Sequence, residues 1–302
     1  MTSVSVVVGL TSGGTDHLRR CLRSLTTQTL PLQEVLVPYD DACAGVTTLQ
    51  TEFESARFIR VPGLDTREAR RGASREHHDT LRTAGLRAAT GDVILMTEDY
   101  ACASPEWAAG LVGVLARHPE AGGAGGAIEC EGSSALTFAI WLCDFGRYQC
   151  PLLEQRTHAA SDVNVAYRTA ALTHVAAAWR DAYREPAVHA ALEAAGYPIY
   201  LAPDAVVCEA RGTLPLRQAL RERFIWGRSY AATRPDAHGS RRWLLAVLSP
   251  LLPLLLTWRI GATTVARGRH VRRFLTCAPL VVGLTTAWAA GELVGYVSGR
   301  PA

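Results

Sequence analysis

Lysine is absent from this 302-residue chain, so all 31 side-chain cations are arginine. Codon usage of a GC-rich genome is the plain reading of that bias. The eight cysteines show no CxxC or zinc-type spacing, which argues against a thiolate metal site and favours reduced thiols. The N-terminus has no charged leader before a long apolar stretch and enters a strand almost at once, so a cleaved signal peptide is not expected. A dinucleotide fingerprint is also missing. The segment Gly9-Leu10-Thr11-Ser12-Gly13-Gly14 after the first apolar run does not fit G-x-G-x-x-G.

What is present divides unevenly. Apolar residues make up 48% of the chain, enough for one large domain or a domain with an appendage. The formal charge of +3 is a sum of opposites. From Arg217 onward, thirteen arginines face only Glu222, Asp236 and Glu292, whereas the preceding part is acidic. Basic residues that flank hydrophobic runs point to an anionic membrane surface and not to nucleic acid.

The first third alternates strand and helix. Val4–Gly9 is an uninterrupted β-branched run, as in a central parallel strand, and Ser12–Thr15 follows as a loop. His17–Thr27 has helical spacing, Glu34–Pro38 and Ala56–Val61 read as strands, and Tyr39-Asp40-Asp41 ends the second strand. This β-α-β-α-β order predicts a doubly wound nucleotide-binding half. The next segment predicts a helix over Arg82–Ala89, a Gly91-Asp92 turn, and a buried strand Val93–Met96 that runs into Glu98-Asp99. Adjacent acids at the carboxyl edge of a parallel sheet lie where such folds bind ligands. They suit a hard divalent cation that holds a substrate diphosphate. An ordinary solvated turn is the structural alternative.

Farther on, a Gly/Ala-rich stretch before Ile128 is expected to form a strand. A helix starts near Arg184-Glu185-Pro186, with proline suited to its first turn and Gly196 as C-cap. Ile199–Leu201 and Val206–Val207 read as two short strands, and Leu214–Ala232 as an amphipathic helix.

Several of these segments together resemble the inverting family 2 glycosyltransferases of GT-A fold. The matching residues are Ser24–Thr29 (the family's Leu-x-x-Gln-Thr), Asp40-Asp41, Arg82, Gly85, Gly91-Asp92, Glu98-Asp99-Tyr100, Pro105 with Trp107, and Asp162–Arg168. Thr83 stands where asparagine is usual, and Tyr100 stands where the last metal-binding aspartate of Asp-x-Asp is expected. The resemblance implies a doubly wound, mostly parallel mixed α/β sheet and inverting transfer from a nucleoside-diphosphate sugar to a hydroxyl of a lipid-linked or envelope glycan. Asp40 or Asp41 would contact the base or ribose, and Arg82 would lie near the nucleotide. Glu98 and Asp99 would handle metal and sugar, and Asn164 would line the site. Counting back from Gly196 puts the family's base position on Glu185; a helix-start acid favoured by the dipole is the structural alternative. Glu209 falls near the position of a metal-completing histidine and could supply an oxygen ligand to magnesium or manganese beside Asp99. A polyprenyl-phosphate glycosyltransferase and a non-catalytic nucleotide-sugar-binding relative remain as alternatives.

The domain boundary is expected near 235, with a GT-A domain over 1–235 and membrane-associating helices over 236–302. Trp243–Trp258 is sixteen residues flanked by arginine, short of the about twenty needed to span, and contains Pro250 and Pro253. Phe274–Tyr296 is longer but contains Glu292. Nucleotide sugars are cytosolic, and the positive-inside tendency would keep an arginine-rich linker at Arg259–Arg273 on that same side. Both conditions hold if the first segment is re-entrant or lies in the interface.

Overall fold

A computed structural model describes residues 2–11, 14–41, 43, 45–64, 76–212, 214–234 and 237–301. Ser12 and Gly13 of the expected first loop lie outside the described residues. The chain separates into two units, one drawn from 1–69, 75–129 and 148–210, the other mainly from 130–147 and 211–302.

The first unit is built on a nine-stranded sheet in the order β3-β2-β1-β4-β8-β6-β9-β5, with β7 paired to β9. The strands are β1 Val4–Gly9, β2 Glu34–Tyr39, β3 Ala56–Arg60, β4 Val93–Glu98, β5 Ala101–Ala103, β6 Gly123–Cys130, β7 Arg156–Thr157, β8 Asn164–Arg168 and β9 Ile199–Glu209. β3, β2, β1 and β4 run parallel, and β8 is antiparallel to β4. Every residue of β1 and of β4 is buried, which explains why neither sequence alternates polar with apolar. The helices of this unit are α1 Thr15–Thr26, α2 Val46–Glu52, α3 Glu76–Ala88, α4 Trp107–Arg117, α6 Thr169–His174 and α7 Glu185–Ala194; α5, Ala135–Phe145, belongs to the second unit.

The chain leaves β1 toward β2 on one side and places β4 on the other, so the strand order reverses between β1 and β4. Their carboxyl ends stand side by side, with Gly9 in register with Glu98. Such a switch point opens a crevice beyond the strand ends. α3 lies close against this part of the sheet because Gly85 faces Val7 and Pro38. Gly196 follows α7 with φ +82°, the left-handed end that its sequence position implied.

Two expectations need correction. Ile199–Leu201 and Val206–Val207 are parts of one eleven-residue strand. Pro203 is tolerated inside it because it falls between the stretches that pair with β7 and with β5. The second correction concerns the tail. Arg259–Arg267 continues a helix, so the expected linker shrinks to Gly268, Arg269 and His270.

Among the described residues, the second unit contains α5 and four further helices: α8 Leu216–Thr233, α9 Gly239–Leu248, α10 Leu252–Arg267 and α11 Val271–Ser298. α8, which precedes the boundary drawn at 235, packs with α11 in this unit. The two helices touch backbone to backbone: Gly227 of α8 faces the Trp288 carbonyl, and Gly291 and Gly295 of α11 face the Phe224 and Arg228 carbonyls. The buried Arg223 guanidinium pairs with Asp144 at 2.6 Å and ties α8 to α5. Pro250 sits in a single 3-10 turn and Pro253 in the first turn of α10, so they bend the helical run without ending it. Gly239–Ala266 and Val271–Ser298, 28 residues each, are long and apolar enough to cross a membrane by length and composition. Trp243, Leu254 and Trp258 are exposed along the first of them.

Gly85→Ala is expected to cost about 1–3 kcal/mol, because its Cβ would overlap Val7 and meet Pro38 Cγ at 2.9 Å. Chemical denaturation checks this, and an unchanged midpoint would contradict the close helix–sheet contact.

Candidate functional site

Beyond the ends of β1 and β4 a buried cation is held among acids. Arg82 projects from α3 across Gly9, whose added Cβ would lie 3.4 Å from the Arg82 Nε. Its guanidinium pairs with Glu98 at the end of β4, with Asp162 before β8 at 2.9 Å, and at longer range with Asp79 at 3.9 Å. Burial alone would lower the Arg82 pKa. Asp162, Glu98 and Asp79 outweigh that penalty and raise it above the ordinary value. The arginine is thus permanently charged and joins three segments far apart in sequence.

Asp99 occupies the turn after β4. Its Oδ1 accepts from the Thr11 amide at 3.0 Å and the Thr11 hydroxyl at 2.8 Å, and its own amide donates to the Gly9 carbonyl. Tyr100 follows, its ring against His17 with centroids 4.7 Å apart and its carbonyl accepting from the Ala210 amide. The ladder between β5 and β9 puts the buried Glu209 opposite Ala101, just past this turn. Among the described residues no three His, Cys, Asp or Glu side chains gather into a metal cluster. Asp99 and Glu209 are oxygen donors of the kind a hard divalent cation such as magnesium accepts.

Glu185 opens α7 next to this centre. Its Oε2 accepts from the Asp162 amide at 3.1 Å, and Asp162 is the same residue that pairs with Arg82. Glu98, Arg82, Asp162 and Glu185 thus form one connected series, from the end of the central strand to the start of α7. Sequence reasoning placed Asp162 only within a site-lining segment, with no role of its own, and assigned none to Thr11 or Asp79. Asp162 carried a faint signal, two residues before Asn164 in a segment already matched to the family.

The other site candidates lie apart from this series. Asp40 is buried at the end of β2. Asp41 pairs with Arg60 at 2.7 Å and is largely exposed. Asn164, the chain's one asparagine, has both amide atoms engaged by protein. Its Nδ2 donates to the carbonyls of Ala127 and Ala205 at 2.7 and 2.9 Å, and its Oδ1 accepts from Trp107 Nε1 at 2.8 Å. That side chain clamps β8 to β6, β9 and α4 from inside the sheet, where the sequence had it lining the site. Thr83, found in place of the usual asparagine, accepts from the Tyr183 amide and donates to the Asp79 carbonyl. Gln28 serves the scaffold too: its Nε2 donates to the Ser104 carbonyl and its Oε1 accepts from the Ala108 amide.

No family model and no curated protein matches the sequence. Solved structures do. The chain is similar to the mannosyltransferase PcManGT from Pyrobaculum calidifontis, solved in complex with GDP-Man and Mn2+, at a TM-score of 0.53 and 18% identity, covering 94% of this chain and 86% of that one. It is also similar to S. aureus TarS 1-349 in complex with UDP-GlcNAc, at a TM-score of 0.50 and 12% identity, covering 92% and 90%. At these identities the likeness establishes the fold: a GT-A-like mixed α/β sheet followed by apolar C-terminal helices.

Replacing Arg82 by methionine would leave the buried Glu98 and the half-buried Asp162 without their counter-charge. The expected loss is about 3–5 kcal/mol near neutral pH. Desolvated carboxylates have raised folded-state pKa values, so the folded variant holds protons that the unfolded chain releases. Its deficit should therefore shrink as pH falls from 8 toward 5. Denaturant melts across that range check the sign; a pH-independent deficit would refute the buried-charge account.

Proposed function

We propose that the protein is a glycosyltransferase that moves a sugar from a nucleoside-diphosphate sugar to a hydroxyl acceptor with inversion, as in the family 2 enzymes it resembles. The observation that carries the reading is the connected series Glu98–Arg82–Asp162–Glu185 at the β1/β4 switch point. Inverting transfer needs negative charge neutralised on the leaving diphosphate and a carboxylate that takes the acceptor proton from the opposite side. Asp99, Glu98 and Arg82 form the donor end, and Glu185 is the base. Asp162 links the two ends by accepting from Arg82 through its side chain and donating to Glu185 through its amide. Asp40 and Asp41, at the end of β2, are the nucleoside-side candidates.

Asp99 and Glu209 would hold a divalent cation, Mg2+ or Mn2+, whose chemistry is to neutralise the leaving diphosphate. Support comes from PcManGT, solved with GDP-Man and Mn2+. The acceptor is a lipid-linked or envelope glycan, and the two 28-residue apolar helices hold the protein to the cytosolic face of a membrane. The three-residue corner between them is flanked by Arg267, Arg272 and Arg273, cations suited to anionic headgroups. A second reading, a non-catalytic nucleotide-sugar-binding relative, draws on Tyr100: an aromatic ring packed on His17 occupies the third acid's position.

A thermal-shift screen of UDP-, GDP- and dTDP-sugars, with and without Mn2+, is expected to find one donor that stabilises the protein more when the cation is present. Asp99→Asn should erase the cation-dependent part and reduce transfer at least about 100-fold. Stabilisation unaffected by Asp99→Asn would overturn the cation assignment. Tight donor binding without hydrolysis or transfer to any acceptor, polyprenyl phosphate included, would favour the non-catalytic relative.

A further inference from the structure

One buried imidazole faces the proposed base and has no part in the reading above. His189 lies one turn after Glu185 on α7, with its Nδ1 4.0 Å from the Glu185 Oε1, and is 3% exposed. On its other side, Nε2 is 2.6 Å from the Tyr167 hydroxyl, which is 2.8 Å from the Tyr183 hydroxyl. All three rings are buried. Burial, the first cause in each case, pushes both phenols well above their ordinary pKa, so they stay protonated and able to donate.

The geometry selects a tautomer. With Nε2 protonated, the Nδ1 lone pair would face the Glu185 carboxylate. With Nδ1 protonated, that N–H points at Glu185, and the Tyr167 hydroxyl donates to Nε2 while the Tyr183 hydroxyl donates to Tyr167. The second arrangement gives each group in the line a partner of the right kind. Glu185 would then be held at both oxygens, by the Asp162 amide at 3.1 Å and by the His189 ring. A gap of 4.0 Å is of the kind that closes only once substrate is bound.

We propose that His189, oriented by the Tyr167–Tyr183 pair, is a positioning residue that aims the Glu185 carboxylate at the acceptor and keeps it ionised. The inference rests on Glu185 being the base. The ring itself neither touches substrate nor carries the proton onward. Other charges around it come from several elements. Asp162 acts on both phenols from the loop before β8, and Arg156, His158 and Glu193 line the outer side of the ring. There Glu193 is engaged by His158 at 2.8 Å and by Arg156 at 3.4 Å.

Two substitutions separate aiming from space-filling. His189→Asn keeps an amide at the Nδ1 position, and His189→Gln keeps one at the Nε2 position facing Tyr167. With the donor and acceptor that support turnover, His189→Gln is expected to lower kcat about 10- to 100-fold, no more than the lower end of the roughly 10²–10⁴ that a general base contributes. The donor KM should stay unchanged and the acidic limb of the kcat–pH profile should move to higher pH. His189→Asn should recover most of the rate and the original limb. Histidine ring 15N NMR provides a readout independent of turnover: His189 should be the Nδ1–H tautomer, shifting toward Nε2–H in Tyr167→Phe. An Nε2–H tautomer in the native protein, or pH profiles alike for both His189 variants, would overturn the proposal. Glu185→Gln keeps the two ideas distinct. If it retains native turnover, the base assignment fails; if it abolishes turnover while both His189 variants behave as native, only the positioning role fails.

Discussion

One buried guanidinium organises the first unit. Arg82 stands on α3, Glu98 ends the central strand β4, and Asp162 precedes β8, so a single side chain ties a helix to two paired strands that are far apart in sequence. Replacing water around an arginine and two carboxylates costs several kcal/mol per ion, and such a group persists only when its partners are well placed. Surrounding features supply that placement. Gly9 leaves room for the arginine, Gly85 lets α3 approach the sheet, and Thr83 ties the same helix to the loop that carries Tyr183. The series of ionised groups is thus also the frame for the buried line of Tyr183, Tyr167 and His189 beside it.

The fold was largely legible because its signals are strong and local. Three of the four parallel strands, β1, β2 and β4, announced themselves as apolar runs, and the order of strands and helices implied the switch point. Glu98 and Asp99 were picked out as candidates because acids at a strand end are visible in one dimension, and Arg82 and Glu185 because of their places in the family-like motifs. Asp162 was not, because its importance arises only when β8 inserts antiparallel beside β4. Asn164 shows the opposite error. A residue prominent in a motif can be fixed there by packing, and here its amide is fully taken by two carbonyls and an indole.

Much of the recognised signature proves to be scaffold. Gly91 sits where a Cβ would meet the Ser5 amide at 2.7 Å, and Asp92 accepts from the Ser3 amide and hydroxyl. Gln28 and Thr29 secure the connection between β5 and α4 through the Ser104 and Pro105 carbonyls. These positions hold the sheet edge in shape. The tail was less legible for a different reason. Proline was weighed as a helix breaker, yet in a first turn it lacks only an N–H that would have had no partner anyway.

The glycines between α8 and α11 carry a consequence for how the second unit meets its surroundings. Gly227, Gly291 and Gly295 let carbonyl oxygens of one helix rest on the α-carbons of the other, so the pair is joined by close backbone approach as well as by buried side chains. Contacts of that kind do not depend on expelling water and keep their strength in hydrocarbon. The two helices therefore form a module whose cohesion is indifferent to its solvent, the same in water as in an apolar medium.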